Sequence, residues 1–255
     1  MIDLHIHILP GIDDGAQSPE DALEMARIAA DSGVRAMAAT SHGDFSHCDP
    51  EEYLNLYDRR LMEFRRLLEE HKIPVNVYSG MELMVNRSFL RLAEQRPLPG
   101  IGGGRYLLVE FLFDTSGSLA LERLKRLQRL GYQLILAHPE RYEFAKRDPE
   151  RLKEFYREGI LLQVNRGSIL GQLGRGAART ADWLLSMGLA GLVASDAHDP
   201  VLRTSDLEET ARILDLYYGG KRVGNSAREK SCQNPEVRRK YKQHLASILV
   251  ILREI

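Results

Sequence analysis

Met1-Ile2-Asp3-Leu4-His5-Ile6-His7 opens the chain, with apolar residues alternating against an acid and two histidines. In a β-strand, residues i and i+2 share a face. His5 and His7 therefore point to one side. Ala194-Ser195-Asp196-Ala197-His198 repeats the arrangement far along the chain, with Asp196 and His198 two apart. Each stretch offers two ligand-type side chains aimed at one point. Between them, apolar runs alternate with amphipathic helical stretches, and strands are expected at 2–8, 34–40, 75–79, 106–111, 133–137, 161–164 and 191–194. Seven strands separated by helices argue for parallel βα units. Runs apolar on both faces suit a sheet covered by helices.

Each apolar run ends in a polar group. The first gives His5 and His7, the second (Thr40-Ser41-His42) His42, and the third (Ser79-Gly80-Met81-Glu82) Glu82. The fourth gives Glu110, the fifth His138, and the last Asp196 and His198. The sixth ends in Gln163-Val164-Asn165-Arg166, to which no role is assigned. In a (β/α) barrel, the rim at the strand C-termini is where catalytic residues gather. A lone His or Glu at a strand end is more often a hydrogen-bonded loop residue. The whole set at one topological height is hard to explain that way, because burying so many ionisable groups unpaired costs several kcal/mol each. The pattern reads as a multinuclear metal site. Imidazole plus carboxylate suits Mn, Fe or Zn over an all-oxygen Mg or Ca site. The donors exceed one ion's needs, so two or three ions are expected.

Gly11-Ile12-Asp13-Asp14-Gly15 follows the first strand. It suits a turn, and it also brings Asp14 or Asp13 beside the histidines as a further ligand. Arg141 follows His138 by three residues and Arg203 follows His198 by five. Each makes either an ordinary ion pair or, beside metals, a bidentate clamp on phosphate. Ser41-His42 and Ser195-Asp196 are not accompanied by a Gly-x-Ser-x-Gly elbow. Cys48 is not followed by a Cys-x5-Arg loop. The glycines at 100–104 form neither a phosphate loop nor a dinucleotide fingerprint.

The bulk numbers narrow the class. The 255 residues carry 35 basic and 36 acidic side chains, a net charge of −1, which argues against a dedicated nucleic-acid binder. Hydrophobic content of 44% supports a full core. Two cysteines, Cys48 and Cys232, lack CxxC partners and read as free thiols in a reducing compartment. No apolar run approaches a membrane span, and the first residues are a strand rather than a signal peptide. The expectation is a single cytoplasmic domain over 1–255, with a loop at 219–233 and a terminal helix at 235–255. Helix starts are legible at Ser18-Pro19-Glu20-Asp21, Asp49-Pro50-Glu51-Glu52, Asp148-Pro149-Glu150 and Asn234-Pro235-Glu236, each a cap residue before proline and acid. The first two have capping-box spacing.

These residues resemble a family. Asp3-x-His5-x-His7, Glu82, Glu110, His138 and Asp196-x-His198 are similar to the polymerase and histidinol phosphatase superfamily. Residues 11–15, Ala39-Thr40-Ser41-His42, His138-Pro139-Glu140-Arg141-Tyr142 and Ser195-Asp196-Ala197-His198 resemble the bacterial manganese-dependent protein-tyrosine phosphatases of capsule and exopolysaccharide loci. The resemblance runs from residue 1 to about 210. It implies a distorted (β/α)7 barrel with a trinuclear Mn site. His5, His7, Glu82 and Asp196 would hold one metal. Glu82, Glu110 and His138 would hold a second, and Asp14, His42 and His198 the third, with Arg141 and Arg203 on phosphate oxygens. The implied substrate is the phosphotyrosine tail of a cognate bacterial tyrosine kinase. Two alternatives stand beside it: a small-molecule phosphatase of the histidinol-phosphate type, and a non-catalytic metal-binding regulatory module.

Overall fold

The computed structural model describes residues 1–218. The expected loop at 219–233 and helix at 235–255, with Cys232, lie outside the described residues. The strands are β1 (Ile2–Ile6), β2 (Ala36–Ala39), β3 (His42–Gly43), β4 (Asn76–Ser79), β5 (Glu82–Met84), β6 (Tyr106–Glu110), β7 (Gln133–Ala137), β8 (Leu161–Asn165) and β9 (Ala190–Ala194). All pair in parallel, in a three-stranded sheet β1-β2-β4 and a six-stranded sheet β3-β5-β6-β7-β8-β9. Around them run α1 (Pro19–Asp31), α2 (Pro50–Glu70), α3 (Arg87–Gln95), α4 (Gly117–Arg129), α5 (Glu143–Arg147), α6 (Leu152–Arg157), α7 (Arg166–Ile169), α8 (Arg175–Ser186) and α9 (Glu208–Ile213). Among the described residues, no helix is long and apolar enough to cross a membrane.

Among the described residues the seven expected runs appear as nine strand segments in two sheets, because the second and the third are each broken. Thr40 interrupts the ladder after β2. Its Oγ1 accepts from Ile6 N at 2.8 Å, and its own N–H donates to Ile6 O at 2.9 Å. Tyr57 of α2 fills the gap beside it, its hydroxyl donating to Ala39 O at 2.8 Å and accepting from Gly80 N at 2.9 Å. The backbone groups that a continuous ladder would pair are thus satisfied by side chains. Pairing resumes at His42 opposite Glu82. The breaks redirect the chain so that both ligand-type residues face the same centre.

The ends of the two sheets also meet. Asp196 N donates to His5 O at 2.8 Å, His7 N donates to Ala197 O at 2.9 Å, and Ile6 bridges Ala197 in parallel. Asp3, fully buried, accepts from Ser195 N at 3.1 Å and so ties β1 to the residue after β9.

The helices form where their caps allow. Ser18 and Asp21 make the expected reciprocal capping box. At α2 the cap runs one way, since Asp49 Oδ1 alone takes the N–H groups of Glu51 and Glu52. A helical segment does start after Asp148, but as a 3-10 turn over Pro149–Arg151 that runs into α6, and the Asp148 side chain faces Arg151 at 3.7 Å instead of capping. Tyr57, Leu61, Phe64 and Leu68 of α2 are buried at helical spacing, against a core shared with Met37, Val77 and Leu83.

Candidate metal centre

The strand ends bring together every side chain that the sequence singled out. At the centre is Glu82, fully buried at the start of β5. Its Oε2 lies 3.2 Å from His5 Nε2, 3.2 Å from His7 Nε2 and 3.2 Å from His42 Nδ1, and its Oε1 is 2.7 Å from His138 Nε2. Asp196 Oδ1 stands 3.3 Å from His5 Nε2 and 3.6 Å from His7 Nε2. Glu110, ending β6, reaches His42 Nδ1 at 3.0 Å and His138 Nε2 at 3.8 Å. On the outer side, the exposed Asp14 is 3.3 Å from His42 Nε2 and 3.5 Å from His198 Nε2. Three donor groups follow, each with ligand atoms within 4.8 Å of one another: His5, His7, Glu82 and Asp196; His7, Asp14, His42 and His198; and His42, Glu82 and Glu110. The first is the set expected for one ion. The third takes His42 where His138 was expected, and His138 instead bonds Glu82 directly.

Two of these residues pay in backbone conformation. His138 (φ 34°) and Asp196 (φ 51°) lie in the left-handed region that non-glycine residues avoid. Such outliers cost on the order of 1–3 kcal/mol and cluster at functional sites.

A second ring of contacts fixes how the imidazoles present themselves. Gln163 Oε1 meets His5 Nδ1 at 2.9 Å, and Asp13 Oδ2 meets His7 Nδ1 at 2.9 Å. Both acceptors hold a proton on Nδ1, which turns Nε2 inward as the ligand atom. Gln163 continues through its Nε2 to Asn165 Oδ1 at 2.7 Å, and Asn165 Nδ2 donates to Asp196 Oδ2. Sequence reasoning assigned these two amides no role. The signal was there, since 163 and 165 share a strand face at period two. Asp13, offered as an alternative ligand to Asp14, is committed to His7 Nδ1 and to the N–H groups of His42 (2.9 Å) and Gly15 (2.9 Å).

Charge at the centre shows what the cluster accepts. Burial alone would make His5 and His7 harder to protonate. The carboxylates of Glu82 and Asp196 outweigh it at His5, raising it to about 9, and those of Asp13 and Glu82 outweigh it at His7, raising it to about 10. Glu82 in turn is held well below the usual carboxylate range despite its burial, by His5 and by bonds from His138. Asp196 sits at about 2 for similar reasons, with His5 the leading neighbour against burial. Glu110 is pushed up, by burial and by the charge of Glu82. His198 goes the other way, to about 3, because it is buried beside His7. The centre therefore demands positive charge, from protons or from a cation.

The donors fit a divalent transition metal. Nε2 of His5 and of His7 face each other at 3.2 Å, around the same carboxylate oxygens. Ligand bonds of about 2.0–2.2 Å set donor atoms roughly 3–3.5 Å apart, as found here. Mixed nitrogen and oxygen donors with no thiolate suit the same metals.

Arginines border the cluster. Arg203 Nη2 donates to Asp196 Oδ2 at 2.7 Å, and Arg141 Nη1 approaches the same oxygen at 3.4 Å. Both guanidiniums are only partly buried. Beside Arg203 opens a cavity of about 420 Å³, with Asn165, Arg166, Asp196 and Leu202 in its wall.

Parallel strands that gather five imidazoles and their carboxylates around one centre, bordered by arginine, define an α/β protein with a metal-site-type cluster. Comparison with known proteins narrows this. The chain belongs to the capsular polysaccharide synthesis CpsB/CapC family, whose model matches residues 1–237. The tyrosine-protein phosphatase YwqE of Bacillus subtilis is 32% identical over 222 residues, covering 86% of this chain and 85% of the relative. The tyrosine-protein phosphatase CpsB of Streptococcus pneumoniae is 28% identical over 243 residues, covering 92% and 96%. A crystal structure from work on these two proteins, described as metal-dependent tyrosine phosphatases, matches with a TM-score of 0.77 at 29% identity, over 95% of this chain and 94% of that one.

Proposed function

We propose that the protein is a metal-dependent protein-tyrosine phosphatase, acting on the phosphotyrosine tail of a bacterial tyrosine kinase that controls capsule or exopolysaccharide synthesis. The observation that carries this reading is the pair Arg141 and Arg203 on Asp196, at the edge of the His5, His7, Glu82 and Asp196 cluster. Family membership and the named activity of YwqE and CpsB support the same reading.

In this reading, His5, His7, Glu82 and Asp196 hold one ion, Glu82, Glu110 and His138 a second, and Asp14, His42 and His198 a third, with Mn as the metal. His42, which faces both Glu110 and Asp14, stands between the last two sets. The two sheets close through β1 and β9 as a distorted seven-stranded barrel in one domain, and the site sits at its C-terminal rim. The metals, when bound, supply Lewis-acid polarisation and the means of generating hydroxide near neutral pH. Arg141 and Arg203 orient the phosphoryl group and neutralise charge on its equatorial oxygens as it transfers. Gln163 and Asp13 keep the imidazoles of His5 and His7 in the ligating tautomer. A tyrosine leaving group, with a pKa near 10, needs less help from a general acid than a serine. The exposed thiol of Cys48 suits a reducing compartment, and the reading places the reaction in the cytoplasm.

The test is phosphate release from a phosphotyrosine peptide and from histidinol phosphate, with Mn and with a chelator. Mn-dependent release from the peptide, abolished by Glu110→Ala or His138→Ala, is expected. Release from histidinol phosphate alone would move the function to small-molecule metabolism. Retention of peptide hydrolysis by both variants would overturn the site.

A further inference from the structure

Two apolar side chains stand open to solvent immediately past Glu110, where β6 delivers its carboxylate. Leu112 is 66% exposed and Phe113 39%. Nothing in the metal cluster requires an exposed ring there. The loop that carries them is nonetheless firmly held. Phe111 N donates to Tyr142 Oη at 3.2 Å, Thr115 N to Leu112 O at 2.9 Å, and Glu143 N to Phe113 O at 2.9 Å.

The Phe113 ring lies within the site's own geometry. The Arg141 guanidinium carbon sits 4.4 Å from its centroid, in cation–π contact. The rings of His138 and Tyr142 stand 5.7 Å and 6.0 Å away, tilted against it. Phe113 is thus anchored on one side by the phosphate-site arginine and by a cluster histidine, and it keeps more than a third of its surface free. A phosphate held by Arg141 brings its ester substituent beside that free surface. An aromatic substituent can pair with the ring at the usual 4.5–7 Å centroid spacing, whereas a short alkyl substituent cannot.

From this juxtaposition we infer that Phe113, with Leu112 beside it, is the wall that recognises an aryl group on the substrate and selects aryl over alkyl phosphate esters. The inference rests on the phosphate-site reading of Arg141. It concerns selectivity, not turnover, and Phe113 also positions Arg141 through their stacking. The ring pair alone accounts for about a two- to tenfold preference.

The test is calorimetric binding of phenylphosphonate and methylphosphonate to the Mn-loaded protein. These share a head group, differ by the ring and are not hydrolysed. The wild type is expected to bind the phenyl ligand several-fold more tightly. Phe113→Ala should bring that preference to about one, whatever loss both ligands share through Arg141, and Phe113→Trp should retain it. Because Phe113 is substantially exposed, its truncation is not expected to unfold the chain, and Phe113→Trp keeps an aromatic wall in any case. A preference that survives Phe113→Ala, or equal weakening of both ligands with the preference intact, would overturn the inference and leave Phe113 as a prop for Arg141. A wild type without a phenyl preference would overturn it too. Binding of neither ligand by the wild type would instead sink the phosphate-site reading, and the inference with it. That failure shows in the unmutated protein rather than in the variant.

Discussion

Metal binding at the His5, His7, Glu82 and Asp196 set should expel protons, and in countable number. In the metal-free protein, His5 titrates at about 9 and His7 at about 10, because carboxylates surround both. At pH 7 both are therefore protonated, yet an imidazole must be neutral to ligate. An ion entering this set should release about two protons at pH 7, and its apparent affinity should rise about a hundredfold per pH unit up to the lower of the two values. That corresponds to roughly 3 kcal/mol per pH unit. Two histidines at their ordinary value of about 6.5 would together release only about half a proton at pH 7, and the affinity would rise less than about twofold above that pH. His198, held at about 3, adds no proton over this range. The assay is Mn titration by calorimetry at pH 7 in two buffers of different ionisation enthalpy, repeated up to pH 8.5. Release of about half a proton or less per ion, with nearly flat affinity, would refute the argument that the carboxylates hold the imidazoles charged. A linked effect has a definite sign. A raised folded-state pKa stabilises fully below the unfolded value of about 6.5, and that contribution is lost as pH climbs through 9 to 10. Chelated protein should therefore lose thermal stability from pH 7 to 10, while the Mn-loaded protein should not.

Gln163→Leu removes the acceptor on His5 Nδ1 and should weaken Mn binding about 10–100-fold, with near-native melting of the chelated protein as the control for folding. Gly15→Ala would place a Cβ 2.1 Å from His7 O, so the loop carrying Asp13 and Asp14 must move. Loss of metal and of phosphatase activity is expected, and full Mn occupancy by calorimetry would contradict it. Ser18→Ala opens the α1 capping box and should cost about 1 kcal/mol in urea-unfolding stability while leaving the kinetic constants unchanged.

The metal-type residues were legible because strand ends announce themselves. A short apolar run that stops on His, Glu or Asp marks both the strand and its end, and β1, β6, β7 and β9 all read this way. The cap at Ser18 was legible for an equally local reason, as its hydrogen bonds close within four residues. Contacts that depend on a distant side chain were not legible. The breaks after β2 and β4 depend on Tyr57, supplied by a helix between them, while Ala39-Thr40-Ser41 by itself still looks like continuous strand. The choice between Asp13 and Asp14 hung on which carboxylate meets His7 and which meets His42 and His198, and two adjacent acids in a turn do not disclose that. Phe113 drew no attention in sequence because an aromatic residue after a strand is ordinary core. Its meaning lies in the exposure and in the arginine above it.

The pairing of β1 with the residues after β9 fixes when the centre can come into being. Asp3 meets Ser195, and His5 meets Asp196, across about 190 positions of chain. At synthesis rates of about 5–20 residues per second, roughly 10–40 s separate the emergence of the two histidines from that of their last carboxylate partner. During that interval a growing chain carries two donors of this set, then three once Glu82 has emerged, and lacks Asp196 throughout. The complete centre is therefore a late product of biosynthesis, and an ion captured early by His5 and His7 alone would be held by two ligands, open to exchange until the final strand arrives.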